Sequence, residues 1–152
     1  HLGASLYLRH IEGGEDGPPP PVDLDGERRN GDLVRGWIER GLVTACHDLA
    51  DGGLAVALAE MAMSSGIGAE IEAPEGAPPL HAWLFGEDQG RYLVSALDPR
   101  ILLAEAEKAG VAAAHIGVTS GKLLTVNGTH AISITEMLDV HEGWLPGYMA
   151  AP

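Results

Sequence analysis

The sequence predicts an α/β (α+β) sandwich, a mixed sheet closed by a C-terminal antiparallel hairpin with helices packed on it. Three observations point there. Short β-branched apolar runs alternate with segments of helical period. Asn127-Gly128 sits between two alternating runs, a strong hairpin signal. Sharp helix start and stop residues punctuate the chain.

Taken in order, residues 13–22 carry glycines, acids and four consecutive prolines, Pro18 to Pro21. Proline lacks the N–H and fixes φ, so this is an exposed connector. Asp23 and Asp25 can then cap a helix whose apolar positions Leu33, Val34, Trp37, Ile38 and Leu42 give it one face to pack on a sheet. Val43 to Cys46 reads as a buried strand ending at His47-Asp48. Leu54 to Met63 is apolar nearly all round, which predicts a helix buried between layers.

Residues 68–72 alternate and predict an edge strand. A Pro- and Gly-rich loop and a short helical piece from Leu80 to Phe85 follow. Arg91 to Leu97 is the next strand. Asp98-Pro99 opens a helix as N-cap and first-turn proline, and Gly110 stops it. Val111 to Val118 reads as a strand, and the hairpin spans Lys122 to Val126 and Thr129 to Ile134. Ser133 and Glu136 have capping-box spacing and start a last helix towards Trp144, which Pro146 and Gly147 loosen. No internal repeat is present, and one domain over 1–152 is expected.

The chain has 152 residues, 45% hydrophobic and 20% charged, with a net charge of -13. Such acidity argues against a polyanion partner, which would need clustered Lys and Arg, so no nucleic acid is expected, while a small phosphorylated ligand held by backbone N–H groups or a divalent metal stays open. No apolar run is long enough for a membrane span. The single Cys46 has no internal disulfide partner, which fits a reducing, cytoplasmic compartment. The opening His1-Leu2-Gly3 lacks a signal segment and an initiator Met, and the chain is expected to be cut from something longer.

Two constellations carry candidate chemistry. His47, Asp48, Asp51, Gly52 and Gly53 stand where a strand hands over to a helix, a place where N–H groups and the helix dipole favour anions. Two aspartates there can hold Mg2+ against a phosphate. Equally, Asp51 can be a cap, the glycines a tight turn, and His47 a hydrogen-bonded strand end. The second constellation is Gly86-Glu87-Asp88-Gln89-Gly90-Arg91. It can present carboxylates and an amide to a ligand while Arg91 meets a phosphate or Glu87; it can also be a solvated turn with a local ion pair. The candidate metal ligand is Asp48. The candidate nucleotide contacts are Gly52, Gly53, Glu87, Gln89 and Arg91. His10, His81, His115, His130 and His141 lack metal-ligand spacing, no nucleophile motif or phosphate-binding lysine loop occurs, and no catalytic residue is expected.

HDLADGGLAVALAEMA followed by FGEDQGRYLVS resembles the C-terminal domain type of the aminoimidazole ribonucleotide synthetase superfamily, and within it the last domain of the large-subunit amidine synthases of purine biosynthesis. The similarity runs from LGASLYL to the last helix. It implies a parent ligase that uses ATP, Mg2+ and glutamine-derived ammonia to convert formylglycinamide ribonucleotide to the amidine. Two ATP-binding-type domains alternate there with two of the present type, and the catalytic histidines lie in the first ATP-binding-type domain. The resemblance places Mg2+ and substrate contacts in the earlier copy of this domain, at turns corresponding to Asp48 and to Glu87 through Gln89. In the last copy those turns face a pseudo-symmetric position, as structure or as an auxiliary nucleotide site.

The implied partners are the other domains of the synthase, a small subunit, a glutaminase subunit and the ribonucleotide substrate. The isolated chain is expected to be inactive and to support the active-site architecture. Three alternatives stand beside this: an independent Mg-nucleotide-binding module, a structural domain docking through Leu2, Leu6, Tyr7 and Leu8, and a piece of a related kinase or maturation enzyme acting on thiamine phosphate, selenide or hydrogenase precursors.

Overall fold

After a short π-helix over Leu8–Glu12, Asp23 starts the first α-helix of the element order, α1 (Leu24–Glu39), by accepting a hydrogen bond from the Gly26 N–H at 3.0 Å. Asp25 lies inside the first turn, so the cap is Asp23 alone. This computed structural model describes residues 1–14 and 16–150. Glu15, inside the proline-rich connector, lies outside them, and the rest of 13–22 has no helix or strand and is mostly exposed.

The further elements are β1 (Ala45–Asp48), α2 (Gly53–Ser65), β2 (Ala69–Ile71), α3 (Leu80–Phe85), β3 (Tyr92–Ser95), α4 (Pro99–Ala109), β4 (Gly117–Thr119), β5 (Leu123–Val126), β6 (His130–Ser133) and α5 (Ile134–Ala150). The mixed α/β class, with a mixed sheet and the terminal hairpin, is as predicted. The chain divides into two compact units. One comprises His1–Leu58 and Pro74–His115; the other comprises Ala59–Ala73 and the chain from Ile116 onward.

In the first unit β1 and β3 form a two-stranded antiparallel ribbon, with Cys46 opposite Val94 and Asp48 opposite Tyr92. Its core joins Val34 and Trp37 of α1 to Leu102 and Ala106 of α4, with Leu33, Leu42, Val43, Val94, Ala96 and Val111 packed around them. Ile38, expected on the packed face, is exposed. Trp37 donates its Nε1–H to Glu105 at 2.9 Å, and Arg40 grips the same carboxylate through both terminal nitrogens. At α4 the sequence is matched in detail: Asp98 accepts from the Arg100 N–H, Pro99 opens the helix, and Gly110 closes it at φ 66°.

In the second unit the strands run in the order β4-β2-β5-β6, with β2 antiparallel to β4 and parallel to β5. Asn127 and Gly128 both take positive φ, as a tight hairpin turn requires, and β5 pairs antiparallel with β6. Ser133 and Glu136 cap each other reciprocally at the start of α5.

Five further expectations need correction. The first strand is shifted to Ala45–Asp48 and is largely exposed, because a ribbon of two strands cannot cover both its faces. Helix α2 is buried along Leu54, Ala57 and Ala62, but Val56 and Glu60 are exposed, since an apolar composition does not itself supply a second covering layer. Strand β2 lies between two others; alternation reveals which face is buried and not whether the edges are paired. Residues 111–116 form no strand, where three consecutive alanines offer little to pack on a pleated surface, and β4 is only Gly117–Thr119. Helix α5 continues through Pro146 to Ala150.

Candidate functional site

The two motif turns, about forty residues apart in sequence, are brought together by the β1–β3 ribbon. Register places Asp48 opposite Tyr92, and the Leu49 N–H continues the pairing to the Arg91 carbonyl at 2.9 Å. The turn 49–52 then has to double back into α2. Gly52 and Gly53 make this reversal with φ 76° and 63°, values that side-chain-bearing residues rarely adopt. Gly53 is further confined. A Cβ there would lie 2.6 Å from the Gly86 carbonyl oxygen and 2.9 Å from that of Leu84.

Glu87 is the hinge pin of the arrangement. Its Oε1 accepts the Gly52 N–H at 2.9 Å and the Leu6 N–H at 3.0 Å. A carboxylate therefore occupies the N-terminal end of α2, where unpaired N–H groups and the helix dipole favour an anion. A phosphate at that N–H would have to displace it. Asp88 lies 3.6 Å from Arg91. Arg91 in turn donates to the Gly86 carbonyl at 3.2 Å, so its guanidinium braces its own turn and its carboxylate neighbour is Asp88, with Glu87 held elsewhere. Gln89 is exposed at the tip.

Asp48 is 69% exposed at its side chain and lies 3.6 Å from His47 Nδ1, which also contacts the Asp48 carbonyl at 2.6 Å. Asp51 is exposed. Among the described residues no three His, Cys, Asp or Glu side chains are grouped to hold a metal ion. With Glu87 committed to two N–H donors, the residues of this turn do not by themselves fit Mg2+, which needs several oxygen ligands. Cys46 is no activated nucleophile either: partial burial, and secondarily Asp48, push its thiol above the usual range.

Several supports were not legible beforehand. Leu2, Leu6, Tyr7 and Leu8, expected as exposed docking residues, are half-buried within the chain, and Tyr7 stacks on Phe85 at 5.1 Å and on His81 at 5.9 Å. From α1, Asn30 donates to the Gly90 carbonyl at 3.1 Å, and a Cβ on Gly90 would strike Glu27 Cγ at 2.7 Å. Only the glycines flanking the turn hinted at such close approach. The N-terminal segment, α1, and the two turns thus form one hydrogen-bonded assembly around Glu87.

The fold and site define an α+β domain whose glycine turn is closed on an internal carboxylate. A family model described as AIR synthase related protein, C-terminal domain, matches residues 1–127, and the chain belongs to that family. Phosphoribosylformylglycinamidine synthase subunit PurL from Parvibaculum lavamentivorans is 57% identical over 99% of this chain and 21% of its own length. The corresponding subunit of Methylocella silvestris is 56% identical over 99% of this chain and 20% of its own. The chain thus spans about a fifth of the length of the curated relatives it matches. Among solved structures, PurLQS from Thermotoga maritima matches with a TM-score of 0.68 at 16% identity, covering 89% of this chain and 24% of that one. T. maritima PurL complexed with ATP matches at 0.66 and 16%, covering 89% and 23%. At such identity these structures speak for the fold alone.

Proposed function

We propose that this chain is the C-terminal domain, a single one over 1–152, of a phosphoribosylformylglycinamidine synthase. That ligase would convert formylglycinamide ribonucleotide to the amidine with ATP and glutamine-derived ammonia. The observation that carries this reading is identity above half over nearly the whole chain with one fifth of a long synthase subunit. The partners are then the other domains of the parent, with a small subunit and a glutaminase subunit completing the assembly. The compartment is the cytoplasm; among the described residues no helix is long and apolar enough to cross a membrane.

Within that parent the chain supports the active site and does not run the reaction. Gly52, Gly53, Glu87 and Arg91 hold the paired turns in shape, and Gln89 and Asp48 present side chains outward. Mg2+ enters this reading only with ligands from outside the chain, and Asp48, at the end of β1, is an exposed carboxylate placed to join them.

The test is reconstitution. The isolated chain should form no amidine, and mixing it with the missing domains should restore ATP- and glutamine-dependent amidine formation. Correctly folded parts that stay inactive together would count against the proposal. Asp48→Ala in the reconstituted enzyme should raise the Mg2+ requirement, and an unchanged requirement would remove Asp48 from a shared metal site.

A further inference from the structure

We infer that the exposed apolar stripe of α5 docks into a groove on the remainder of the longer polypeptide, a groove lined by apolar side chains and rimmed by Lys or Arg. This rests on the reading of the chain as part of a larger synthase.

In α5 only Ile134 is buried, Met137 and Leu138 are partly covered, and every residue from Asp139 to Ala150 is exposed. The apolar members of that exposed length are Val140, Trp144, Leu145, Tyr148 and Met149. Their spacing puts them on one side of a helix. Trp144 and Tyr148, 67% and 66% exposed, stack at 5.4 Å with their planes 9° apart, a preformed aromatic ledge.

A second observation says that something outside holds this helix. Gly143, Pro146 and Gly147 lie within its last three turns. Glycine is a poor helix former relative to alanine and an interior proline a far worse one. Pro146 also removes the N–H that would bond the Glu142 carbonyl. Nothing buried along 139–150 offsets this, so the helix there draws its stability from an external surface.

Charge and area decide the occupant. Helix α5 contains no Lys or Arg, and Glu136, Asp139 and Glu142 line it. A second copy of this chain, itself at -13, would bring acid against acid. The complementary groove has a cationic rim. A stripe of two aromatics, at about 150–250 Å² each, and three smaller side chains offers at most the roughly 800 Å² per partner of a standard free-standing complex. A tethered domain at an effective concentration on the order of millimolar does not need that area. The family match also stops at 127, before α5, whereas the long synthase subunits align through nearly all of the chain. The helix therefore goes with the long polypeptide.

Hydrogen exchange over residues 144–150 tests this, measured in the 152-residue chain and in the full-length parent synthase. Exchange should be at least about tenfold slower in the parent, and Trp144→Glu with Leu145→Glu should return it to the rate of the isolated chain. Equal rates in both proteins would overturn the inference. So would protection in the isolated chain that grows with its concentration, which indicates a second copy, or protection in the parent that appears only on adding another subunit. Amidine formation is measured on the same parent preparation: its absence would remove the functional reading, while the exchange comparison still decides the docking.

Discussion

Glu87 concentrates more of the local architecture than any other side chain at the paired turns. One oxygen satisfies N–H groups from two distant segments, Leu6 and Gly52, and bonds to a charged acceptor are the stronger kind. Glu87→Ala leaves both donors without their acceptor, and a loss of about 2–4 kcal/mol is expected in urea unfolding. Glu87→Gln keeps an acceptor without the charge and should lose roughly half of that; a variant Ala protein as stable as the parent would refute the assignment. A second residue sets the acid limb of stability. Glu105 is held down at about 2, first by the Arg40 hydrogen bonds and then by the Trp37 indole, against an ordinary 4.5. Its folded value lies below the unfolded one, so its contribution is complete above about pH 4.5 and is lost as pH falls towards 2. Asp98 and Glu136 are lowered in the same sense by Arg100 and Ser133. Glu105→Gln should therefore shallow the fall of the urea midpoint between pH 4.5 and 2 without flattening it, and an unchanged slope would show that the Arg40 pair contributes nothing.

Elements announced by local chemistry were legible, and those fixed by distant pairing were not. Helix α4 has its N-cap, first-turn proline and glycine stop within thirteen residues, and the β5–β6 hairpin is set by Asn127-Gly128. By contrast, β2 acquires its neighbours from far along the chain, pairing residue 71 with 117 of β4 and with 126 of β5, which no local pattern encodes. The candidate site divides the same way: each turn stood out by its glycines and acids, but their meeting depends on the pairing of residue 48 with 92, and Glu87's bond to Leu6 spans 81 positions. The start of α2 shows how tight that meeting is. Gly53→Ala would force a positive φ on alanine and press its Cβ against three backbone atoms of 84–86, so a loss above about 3 kcal/mol is expected. Gly36, inside α1 with open space at its Cβ position, is the control: Gly36→Ala should gain up to about 1 kcal/mol. If thermal unfolding ranked the two variants the other way, the close approach of α2 to the 84–86 turn would be wrong.

Across the whole molecule the governing quantity is the acidic excess. Twenty-two carboxylates face nine Lys and Arg, giving -13, so pairing every cation would still leave a surplus that repels itself in the compact state. The pairs that form, such as Arg28–Asp32, Arg35–Asp32 and Arg100–Asp98, lie at the surface, where solvent screens them. Added salt weakens these attractions and the wider repulsion together. The repulsion acts over longer distances among more charges, and shortening the Debye length from about 30 Å at 0.01 M to about 8 Å at 0.15 M removes more of it. The urea midpoint at pH 7 should accordingly rise with sodium chloride over that range and level off beyond it, once screening is shorter than the spacing between carboxylates. Charge-neutralising Glu→Gln changes at unpaired surface sites should raise the low-salt midpoint and shrink the salt response. A midpoint that falls with salt would mean that the local ion pairs outweigh the surplus.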